Sequence, residues 1–367
     1  MNSLGFNKDN KKTKVVVAMS GGVDSSVAAV MLKKEGYDVI GITLNLYSQT
    51  QAKSSKSCCS GRDIEDAKKV AKQYDFTHIT LDYQDNFFSG VIDNFVETYA
   101  DGQTPVPCIM CNQTVKFRDL LAEAKRMKAD ALVTGHYIRR VFENSAAKMF
   151  KAKDSTKDQS YFLFSTSSEQ LDYIRFPLGD YLKSEIREMA EKYKLDVSDK
   201  PDSQDICFVT SSSYRELIHK LKPDLNIEGN FIDIDGNTIG KHLGIANYTV
   251  GQRKGLGVGG SEYPLYVLNI NKDKNEIILG EQSLLKKNTI SIDRINWLDN
   301  SIDKHNLRCS AKIRSTQPET SGKLEVTSNG ALFTFDEEII TTSPGQACVL
   351  YLNDQVLGGG WITKNNN

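Results

Sequence analysis

The apolar positions in the first half of the chain alternate between two periods, which predicts strands and helices in turn. Lys14 to Met19 is a short run rich in valine, typical of a buried parallel strand. After the turn at Ser20–Gly22, the apolar residues of 23–35 recur at helical spacing until Gly36. Repeated strand-then-helix units predict an α/β fold with a doubly wound parallel sheet, which binds its ligand beyond the carboxyl ends of the strands. Further strands are predicted at 38–47, 78–81 and 130–134, and further helices at 63–74 and 117–127.

The pattern changes after about Phe208, where one helix is expected near Tyr214–His219 and the rest consists of short alternating strands and tight turns. Asp235-Gly236 and Asn329-Gly330 stand between alternating runs, as in two-residue hairpin turns. These features predict two small, mostly β domains, the last of them barrel-like. The predicted divisions are a flexible tail at 1–14, an α/β domain at 15–213, a central β-rich domain at 214–285 and a C-terminal barrel-like domain at 286–367.

Composition and charge exclude several classes of protein. The 46 Lys and Arg residues against 47 Asp and Glu give a formal net charge of −1, which excludes a basic field over the whole surface. Nucleic acid would therefore need locally gathered basic residues. The first residues contain no apolar run typical of an export signal, and no stretch approaches the roughly 18 apolar residues of a membrane span. We therefore expect a cytoplasmic protein. Seven cysteines, an odd number, argue against a disulfide framework and favour thiol chemistry or metal binding.

The segment Ala18–Ser26 reads AMSGGVDSS and lies where a parallel strand passes into a helix. Two glycines allow a tight turn, and the serine hydroxyls with the helix N-terminus favour an anion. The segment lacks the lysine of a Walker A loop. The alternative to an anion site is a purely structural tight βα turn. SGGVDSS resembles the signature of the pyrophosphate-loop ATP enzymes, which adenylate an oxygen of their acceptor. That resemblance implies an adenine nucleotide alpha hydrolase-like domain, with Asp24 holding Mg²⁺ or orienting the phosphates of ATP.

Two cysteine positions are candidates for chemistry. Cys111 follows Cys108 in a C-x-x-C segment and precedes a predicted helix, whose N-terminus favours a thiolate. A pair of buried small hydrophobes is the alternative for these two residues. Cys207 ends a polar stretch and, taken alone, suits core packing. No second C-x-x-C exists, so a four-cysteine zinc site has little support, and we expect the remaining cysteines to be structural or incidental: Cys58, Cys59, Cys309 and Cys348.

Several motifs in sequence order resemble those of the tRNA-specific 2-thiouridylases, and the resemblance extends from about Val15 to Ile362. The motifs are TPVPCIMCNQTVKF (104–117), TGHYIRR (134–140), KDQSYFLF (157–164), FPLGDYLKSEIREMAE (176–191), SQDICF (203–208), GQRKGLGVGG (251–260) and the terminal PGQACVLY and LGGG.

This resemblance implies a reaction and a role for two cysteines. The expected enzyme is a tRNA-uridine 2-sulfurtransferase, which uses ATP to adenylate the C2 oxygen of the wobble uridine (position 34) and releases AMP and pyrophosphate. Cys111 matches the family's nucleophile. Cys207 matches the cysteine that carries sulfur as a persulfide and forms a transient disulfide with the nucleophile. The implied partners are a tRNA with a wobble uridine and a persulfide sulfur donor or relay protein.

The resemblance also implies ligand contacts, which map onto this sequence residue by residue. Without the resemblance, a capping or core role for His136 and a solvated charge for Lys157 would be equally reasonable. The implied ATP contacts are Ala18, Met19, Ser20, Gly21, Gly22, Val23, Asp24, Ser25, Leu44 and Gly135. The implied tRNA contacts are Val106, Pro107, Cys108, His136, Lys157, Asp158, Gln159, Arg314 and Gln346.

Two positions depart from the commonest family pattern. Some members have an acid where this chain has Cys108, so the acid/base role of that carboxylate does not carry over. Val106 stands where the family commonly has Asn near the target base. Cys108, Cys111 and Cys207 could alternatively ligate a [4Fe–4S] cluster with one open iron, although four ligands are the norm.

Two rival functions fit parts of the same sequence. Another pyrophosphate-loop ligase, such as a synthetase that amidates a small metabolite, would need an ammonia source and no paired cysteines. A catalytically idle RNA-binding or iron–sulfur carrier protein could retain the loop as a scaffold. Release of AMP that depends on tRNA discriminates against the carrier, and loss of activity on replacing either cysteine discriminates against the ligase.

Overall fold

The computed structural model describes residues 1–46, 61–201, 206–209 and 213–364. Wider π-helical turns occupy Phe88–Ile92 and Cys111–Asp119. The α-helices, in chain order, are α1 (Val23–Lys34), α2 (Gly61–Gln73), α3 (Gln84–Phe87), α4 (Asp93–Ala100), α5 (Pro107–Met110), α6 (Leu120–Arg126), α7 (Ser168–Tyr173), α8 (Lys183–Lys192) and α9 (Tyr214–Leu221).

The chain divides into two compact units. The first comprises Met1–Val91, Cys108–Thr210 and Asp354–Val356, and the second Ile92–Pro107, Ser211–Asn353 and Leu357–Asn367. The strands are β1 (Lys14–Ala18), β2 (Asp38–Asn45), β3 (Thr77–Asp82), β4 (Ala131–Thr134), β5 (Ile138–Glu143), β6 (Ala146–Lys151), β7 (Ile174–Arg175), β8 (Gly229–Ile232), β9 (Thr238–His242), β10 (Tyr266–Asn271), β11 (Glu276–Gly280), β12 (Lys286–Trp297), β13 (Leu307–Lys312), β14 (Thr320–Thr327), β15 (Gly330–Ile340), β16 (Ala347–Leu352) and β17 (Gln355–Ile362).

The first unit is built on a parallel sheet with strand order β3-β2-β1-β4-β7. Val15, Val16 and Val17 of the central strand are fully buried, because helices pack on the sheet and leave no solvated face for a polar residue. Val15 and Val17 share one apolar core with α1 and α8, in which Val27 and Ile186 are also fully buried. The predicted α/β fold with a parallel sheet is confirmed.

One helix differs from the prediction. We predicted an α-helix at 117–127, whereas the chain forms a π-helix at Cys111–Asp119 that continues as α6. The amide of Leu120 donates to the carbonyl of Val115, five residues back, which is the bond of the wider helix. Apolar spacing does not reveal such a widening, since the same residues can face the core in either helix.

The second unit carries two all-β elements. One sheet has strand order β10-β11-β8-β9, and its predicted Asp235-Gly236 turn is a hairpin in which Gly236 has φ +88°. The other runs β12-β15-β14-β13-β16-β17, and pairing of β12 with β17 closes it into a barrel. Phe333 and Leu324 are fully buried inside this barrel. The prediction of two mostly β elements with a barrel-like last one is confirmed, whereas the domain boundaries stay predictions.

Within the described ranges, no helix combines the length and the apolar character that crossing a lipid bilayer requires.

Candidate active site

The loop of the Ala18–Ser26 segment, the candidate anion-binding loop, lies at the carboxyl end of β1 and leads directly into α1. The Ser20 amide donates to the Ser25 hydroxyl over 3.1 Å, and the Ser26 hydroxyl donates to the Gly22 carbonyl over 2.8 Å. Internal hydrogen bonds therefore set the shape of the loop before any ligand binds. Gly22 caps α1 without a side-chain bond, so the first amides of the helix keep their capacity to hold an anion.

Two further nucleotide candidates border this loop. β1 pairs with β2 on one side and with β4 on the other, so Leu44 near the end of β2 and Gly135 after β4 flank the loop. A β-carbon on Gly135 would lie 2.8 Å from the Ser25 amide nitrogen, closer than side chains come to backbone. Glycine is therefore required at this position for the loop to approach the end of β4.

A buried lysine makes contact with the loop. Lys183, at the start of α8, places its ammonium 2.7 and 2.8 Å from the two carboxylate oxygens of Asp24. The Tyr137 hydroxyl donates to the same carboxylate over 2.7 Å, and the ammonium also lies 5.6 Å from the Tyr137 ring centroid. Sequence reasoning noted only the absence of a Walker lysine. The lysine in FPLGDYLKSEIR was the available signal, but nothing in its spacing showed that it meets the loop.

The segment after β4 connects the loop at Asp24 to residues 157–159, which are candidate tRNA contacts. The Tyr137 amide donates to the side-chain oxygen of Gln159 over 2.9 Å, and the Gln159 amide donates to the carbonyl of Tyr137 over 3.0 Å. The Asp158 carboxylate accepts bonds from the Ala152 amide and the Ser160 hydroxyl at 3.0 and 2.6 Å. These contacts give Asp158 and Gln159 a structural role in shaping the turn that carries Lys157.

His136 is held as a neutral ring. Its Nδ1 lies 2.9 Å from the Thr134 hydroxyl, and its ring packs edge-on against Phe117 at 5.9 Å between centroids. The pKa of His136 lies well below its ordinary value. Desolvation of the buried ring is the larger cause, and the positive charge of Lys116 is the smaller one. A neutral imidazole donates from one nitrogen and accepts at the other, which suits hydrogen bonding to a base edge.

Cys111 begins the π-helix and is 9% exposed. The Asn112 side chain, itself buried, donates over 3.1 Å to the carbonyl of Phe162 and so fixes this end of the helix to the 160–162 turn. In a π-helix the backbone hydrogen bonds join residues five apart, and Lys116 follows Cys111 by five residues. Lys116 is a further residue of this site, because its charge acts on the His136 ring, and the sequence pattern alone did not assign it a role.

Cys207 is half-buried and lies next to Phe208, whose ring packs edge-on against Phe87 at 5.9 Å between centroids. Three residues beyond Phe87, a β-carbon on Gly90 would lie 3.4 Å from the Thr114 hydroxyl on the π-helix of Cys111. The two cysteine-bearing segments thus share one neighbour, the helical segment that starts at Gln84. Residues 203–205 of the SQDICF motif lie outside the described residues.

The described side chains do not fit a metal cluster. Across these residues, no three His, Cys, Asp or Glu side chains come together closely enough to hold a metal ion. Cys108, Cys111 and Cys207 therefore do not form a ready cluster site, and Cys108 is exposed at the surface. Cys309 and Cys348 are buried in the C-terminal barrel, whereas Cys58 and Cys59 lie outside the described residues.

The remaining tRNA candidates lie in the second unit. The Gln346 amide donates to the carbonyl of Thr104 over 3.1 Å, which places it beside the segment that leads to Val106 and Pro107. The Arg314 guanidinium donates to the Thr342 hydroxyl and to the carbonyl of Thr341, both at 3.0 Å. Arg314 therefore bonds the start of the 341–346 segment, and Gln346 connects the end of that segment to Thr104.

Comparison with known proteins decides the family. Family models described as a tRNA methyl transferase HUP domain, a tRNA methyl transferase PRC-barrel domain and an aminomethyltransferase β-barrel domain match residues 13–211, 217–281 and 287–362. A tRNA-specific 2-thiouridylase of Paracoccus denitrificans is 48% identical over 99% of this chain and 95% of its own length. The chain belongs to the tRNA-specific 2-thiouridylase family.

Other 2-thiouridylases match to a similar extent. The protein of Rhodospirillum centenum is 46% identical over 99% of this chain and 95% of the relative, and that of Rickettsia prowazekii is 48% identical over 96% and 99%. The resemblance stated from the motifs is thereby confirmed. The roles of individual residues in this 2-thiouridylase stay predictions.

We predict that the cysteines of the folded protein differ sharply in reactivity. Burial raises the pKa of Cys309 to about 12 and raises the pKa of Cys348 as well, so both thiols carry almost no thiolate at pH 8. Of Cys108, Cys309 and Cys348, only Cys108 is exposed, so it should react with iodoacetamide before the other two, as measured by peptide mass spectrometry. Unfolding in guanidinium provides the control, since it should make all three reactive. Early modification of Cys348 in the folded protein would contradict the prediction.

We also predict that Lys116→Met raises the pKa of the His136 ring. Removing the nearby positive charge removes one of the two causes that disfavour the protonated ring, while burial of the ring remains. The pKa should therefore rise but stay below its ordinary value of 6.5, as measured by a histidine-ring NMR titration. Lys125→Met, which removes an exposed lysine on α6, is the matched control and should leave the titration unchanged. An identical His136 titration in both variants would refute this account of its charge state.

Proposed function

We propose that this chain is an ATP-dependent tRNA-uridine 2-sulfurtransferase that converts the wobble uridine of tRNA, position 34, to 2-thiouridine. The observation that carries the proposal is a continuous set of contacts within the first unit. Asp24 of the loop bonds Tyr137, and the adjacent His136 packs on Phe117 of the helix that Cys111 begins. A phosphate loop and a buried cysteine are thus held by one short segment, as a reaction that joins nucleotide and thiol chemistry requires.

The first step activates the base. The C2 oxygen of uracil attacks the α-phosphorus of ATP, the α–β bridge breaks, and pyrophosphate leaves from the loop. The C2 carbonyl is a poor electrophile, but its adenylate carries AMP as a good leaving group. Amides at the start of α1 and the hydroxyls of Ser20 and Ser25 are the donors available to hold the departing pyrophosphate.

Charge compensation at the phosphates falls to Lys183. Its ammonium already lies at Asp24, so a nucleotide in the loop would meet a positive charge that is fixed in advance. Mg²⁺, bound together with ATP, would neutralise further phosphate charge, and Asp24 is the loop carboxylate that could contact it. The other interactions of the nucleotide need only backbone amides and hydroxyls.

The second step transfers sulfur. Cys207 carries a persulfide, whose terminal sulfur reaches C2 either directly or as hydrosulfide after Cys111 thiolate attacks the Cys207 sulfur. In the direct route the terminal sulfur forms a C–S bond with C2 while the C–O bond to AMP breaks, and Cys111 thiolate then attacks the Cys207 sulfur, which breaks the S–S bond and releases 2-thiouridine. In the other route that S–S bond breaks first, and the hydrosulfide forms the C–S bond as AMP leaves. Both routes end with a Cys111–Cys207 disulfide. The sulfane sulfur gains the two electrons that the thiols lose. An external dithiol must then reduce the disulfide, and a persulfide donor or relay protein must reload Cys207.

The tRNA must present its base unstacked, at a cost of a few kcal/mol that is smaller in a loop than in a duplex. Contacts to the backbone phosphates have to offset this cost, so binding should weaken with salt. The proposed tRNA contacts are Val106, Pro107, Cys108, His136, Lys157, Asp158, Gln159, Arg314 and Gln346.

The test of this function uses ATP, Mg²⁺, a persulfide source and unmodified tRNA, with nucleosides analysed by mass spectrometry. Wild type should form 2-thiouridine and release AMP only when tRNA is present. Cys111→Ser and Cys207→Ser should each abolish 2-thiouridine, whereas Cys309→Ser, a buried cysteine of the barrel, should retain it. Full activity in both cysteine variants would favour a ligase of another kind, and absence of tRNA-dependent AMP would favour a binding protein.

Lys183→Met should lower kcat/KM for ATP by about 10²-fold, the usual loss when one preorganised charged donor is removed from a site of developing charge. Initial rates of AMP release at varied ATP measure this effect. Lys192→Met, which removes an exposed lysine at the end of the same helix, is the matched control and should behave as wild type. Activity of Lys183→Met within twofold of wild type would contradict the role of this ammonium.

A further inference from the structure

A second lysine contacts the anion-binding loop from another direction. The Lys200 ammonium donates to the backbone carbonyl of Gly21 over 2.9 Å, to the Asp63 carboxylate, and to the Asp66 carboxylate over 3.1 Å. Three oxygen acceptors thus surround one ammonium, which matches its three N–H donors. The family resemblance assigns no role to Lys200, Asp63 or Asp66.

The loop is packed tightly onto the same place. Gly21 has φ +73°, and a β-carbon there would lie 2.2 Å from the carbonyl oxygen of Asp63 in the first turn of α2. Only glycine allows this approach and this backbone conformation. The Gly21 peptide is therefore pressed against α2 on one side and held by Lys200 through its carbonyl.

The direction of the Gly21 carbonyl determines where the Gly22 N–H points. In a planar trans peptide, the carbonyl of Gly21 and the amide N–H of Gly22 lie in one plane and point in opposite directions. Gly22 is the N-cap of α1, so its amide belongs to the group of donors that would hold the pyrophosphate. When Lys200 binds the carbonyl, the Gly22 N–H must point away from Lys200.

The orientation of the Gly21–Gly22 peptide depends on the positive charge of Lys200. Burial alone would lower the pKa of Lys200, but the hydrogen bonds with Asp63 and Asp66 outweigh it and raise the pKa, so the ammonium stays charged. Without this charge, the Gly21 carbonyl would face two carboxylates with nothing to attract it. Rotation of the Gly21–Gly22 peptide would then relieve the repulsion and turn the Gly22 N–H away from its ligand.

We propose that Lys200 is a positioning residue that holds the Gly21–Gly22 peptide in the orientation that binds pyrophosphate. The ammonium acts through the backbone of the loop and does not itself touch the nucleotide. The inference deepens the proposed function, on which it rests for the identity of the ligand. Its measurement requires neither tRNA nor persulfide.

The test compares the affinities of two ligands by calorimetry on the purified full chain. Pyrophosphate probes the loop, whereas AMP probes the adenine and α-phosphate contacts. Lys200→Met should weaken pyrophosphate binding roughly tenfold, the loss expected for one well-oriented hydrogen bond to a charged group, and leave AMP binding within about twofold. Lys200→Arg should largely restore pyrophosphate binding, because it keeps the charge and several N–H donors.

The chain offers a matched control. Lys69 also pairs with Asp66, at 3.8 Å, but its side chain is 65% exposed. Lys69→Met should therefore bind both ligands as wild type does. If Lys200→Met does not fold, Lys200→Gln retains an N–H donor without the charge and should show the same selective loss to a smaller extent.

Unchanged pyrophosphate affinity in a folded Lys200→Met protein would overturn the inference, as would an equal loss of AMP and pyrophosphate affinity. Failure of the proposed function would look different. A wild-type chain that binds pyrophosphate but never thiolates tRNA would refute the function and leave the positioning role of Lys200 standing. A wild-type chain that binds neither ligand would refute both.

Discussion

The structure of the candidate site depends on the carboxylate of Asp24. This side chain accepts from Lys183, 159 residues away in sequence, and from Tyr137, 113 residues away. A partly buried carboxylate loses hydration, and bonds of this kind must replace it. The same bonds fix a positive charge and a tyrosine beside a loop that is otherwise made of glycines and serines. Preorganisation of the loop therefore comes from distant parts of the chain that fold around it.

A related set of contacts surrounds Cys111, the proposed nucleophile. Tyr137 follows His136, and His136 contacts Phe117 on the π-helix that begins at Cys111. Lys116 lies on the same π-helix, and its positive charge acts on the imidazole. A neutral histidine beside a lysine presents one directional hydrogen-bonding group and one charge. Such a pair suits a substrate that has both a base edge and a phosphate.

The sequence predicted much of this fold and less of the site. The valine run of β1, the glycine turn and the periodic helix after it are local patterns, so the sheet and its anion-binding loop could be predicted from them. The Asp235-Gly236 hairpin is equally local. Lys183, Lys200 and Tyr137 could not be assigned, because their contacts with the loop follow from tertiary packing across more than a hundred residues. The π-helix was missed for a related reason, since its extra residue leaves the apolar pattern almost unchanged.

In the proposed reaction, the nucleotide activates the C2 oxygen of uridine and sulfur then displaces it. The most direct measurement uses tRNA labelled with ¹⁸O at C2 of the wobble uridine, in a single turnover with ATP and a persulfide source. Each 2-thiouridine formed should be matched by one AMP that carries the ¹⁸O. Unlabelled AMP, with ¹⁸O released into water or pyrophosphate, would contradict it.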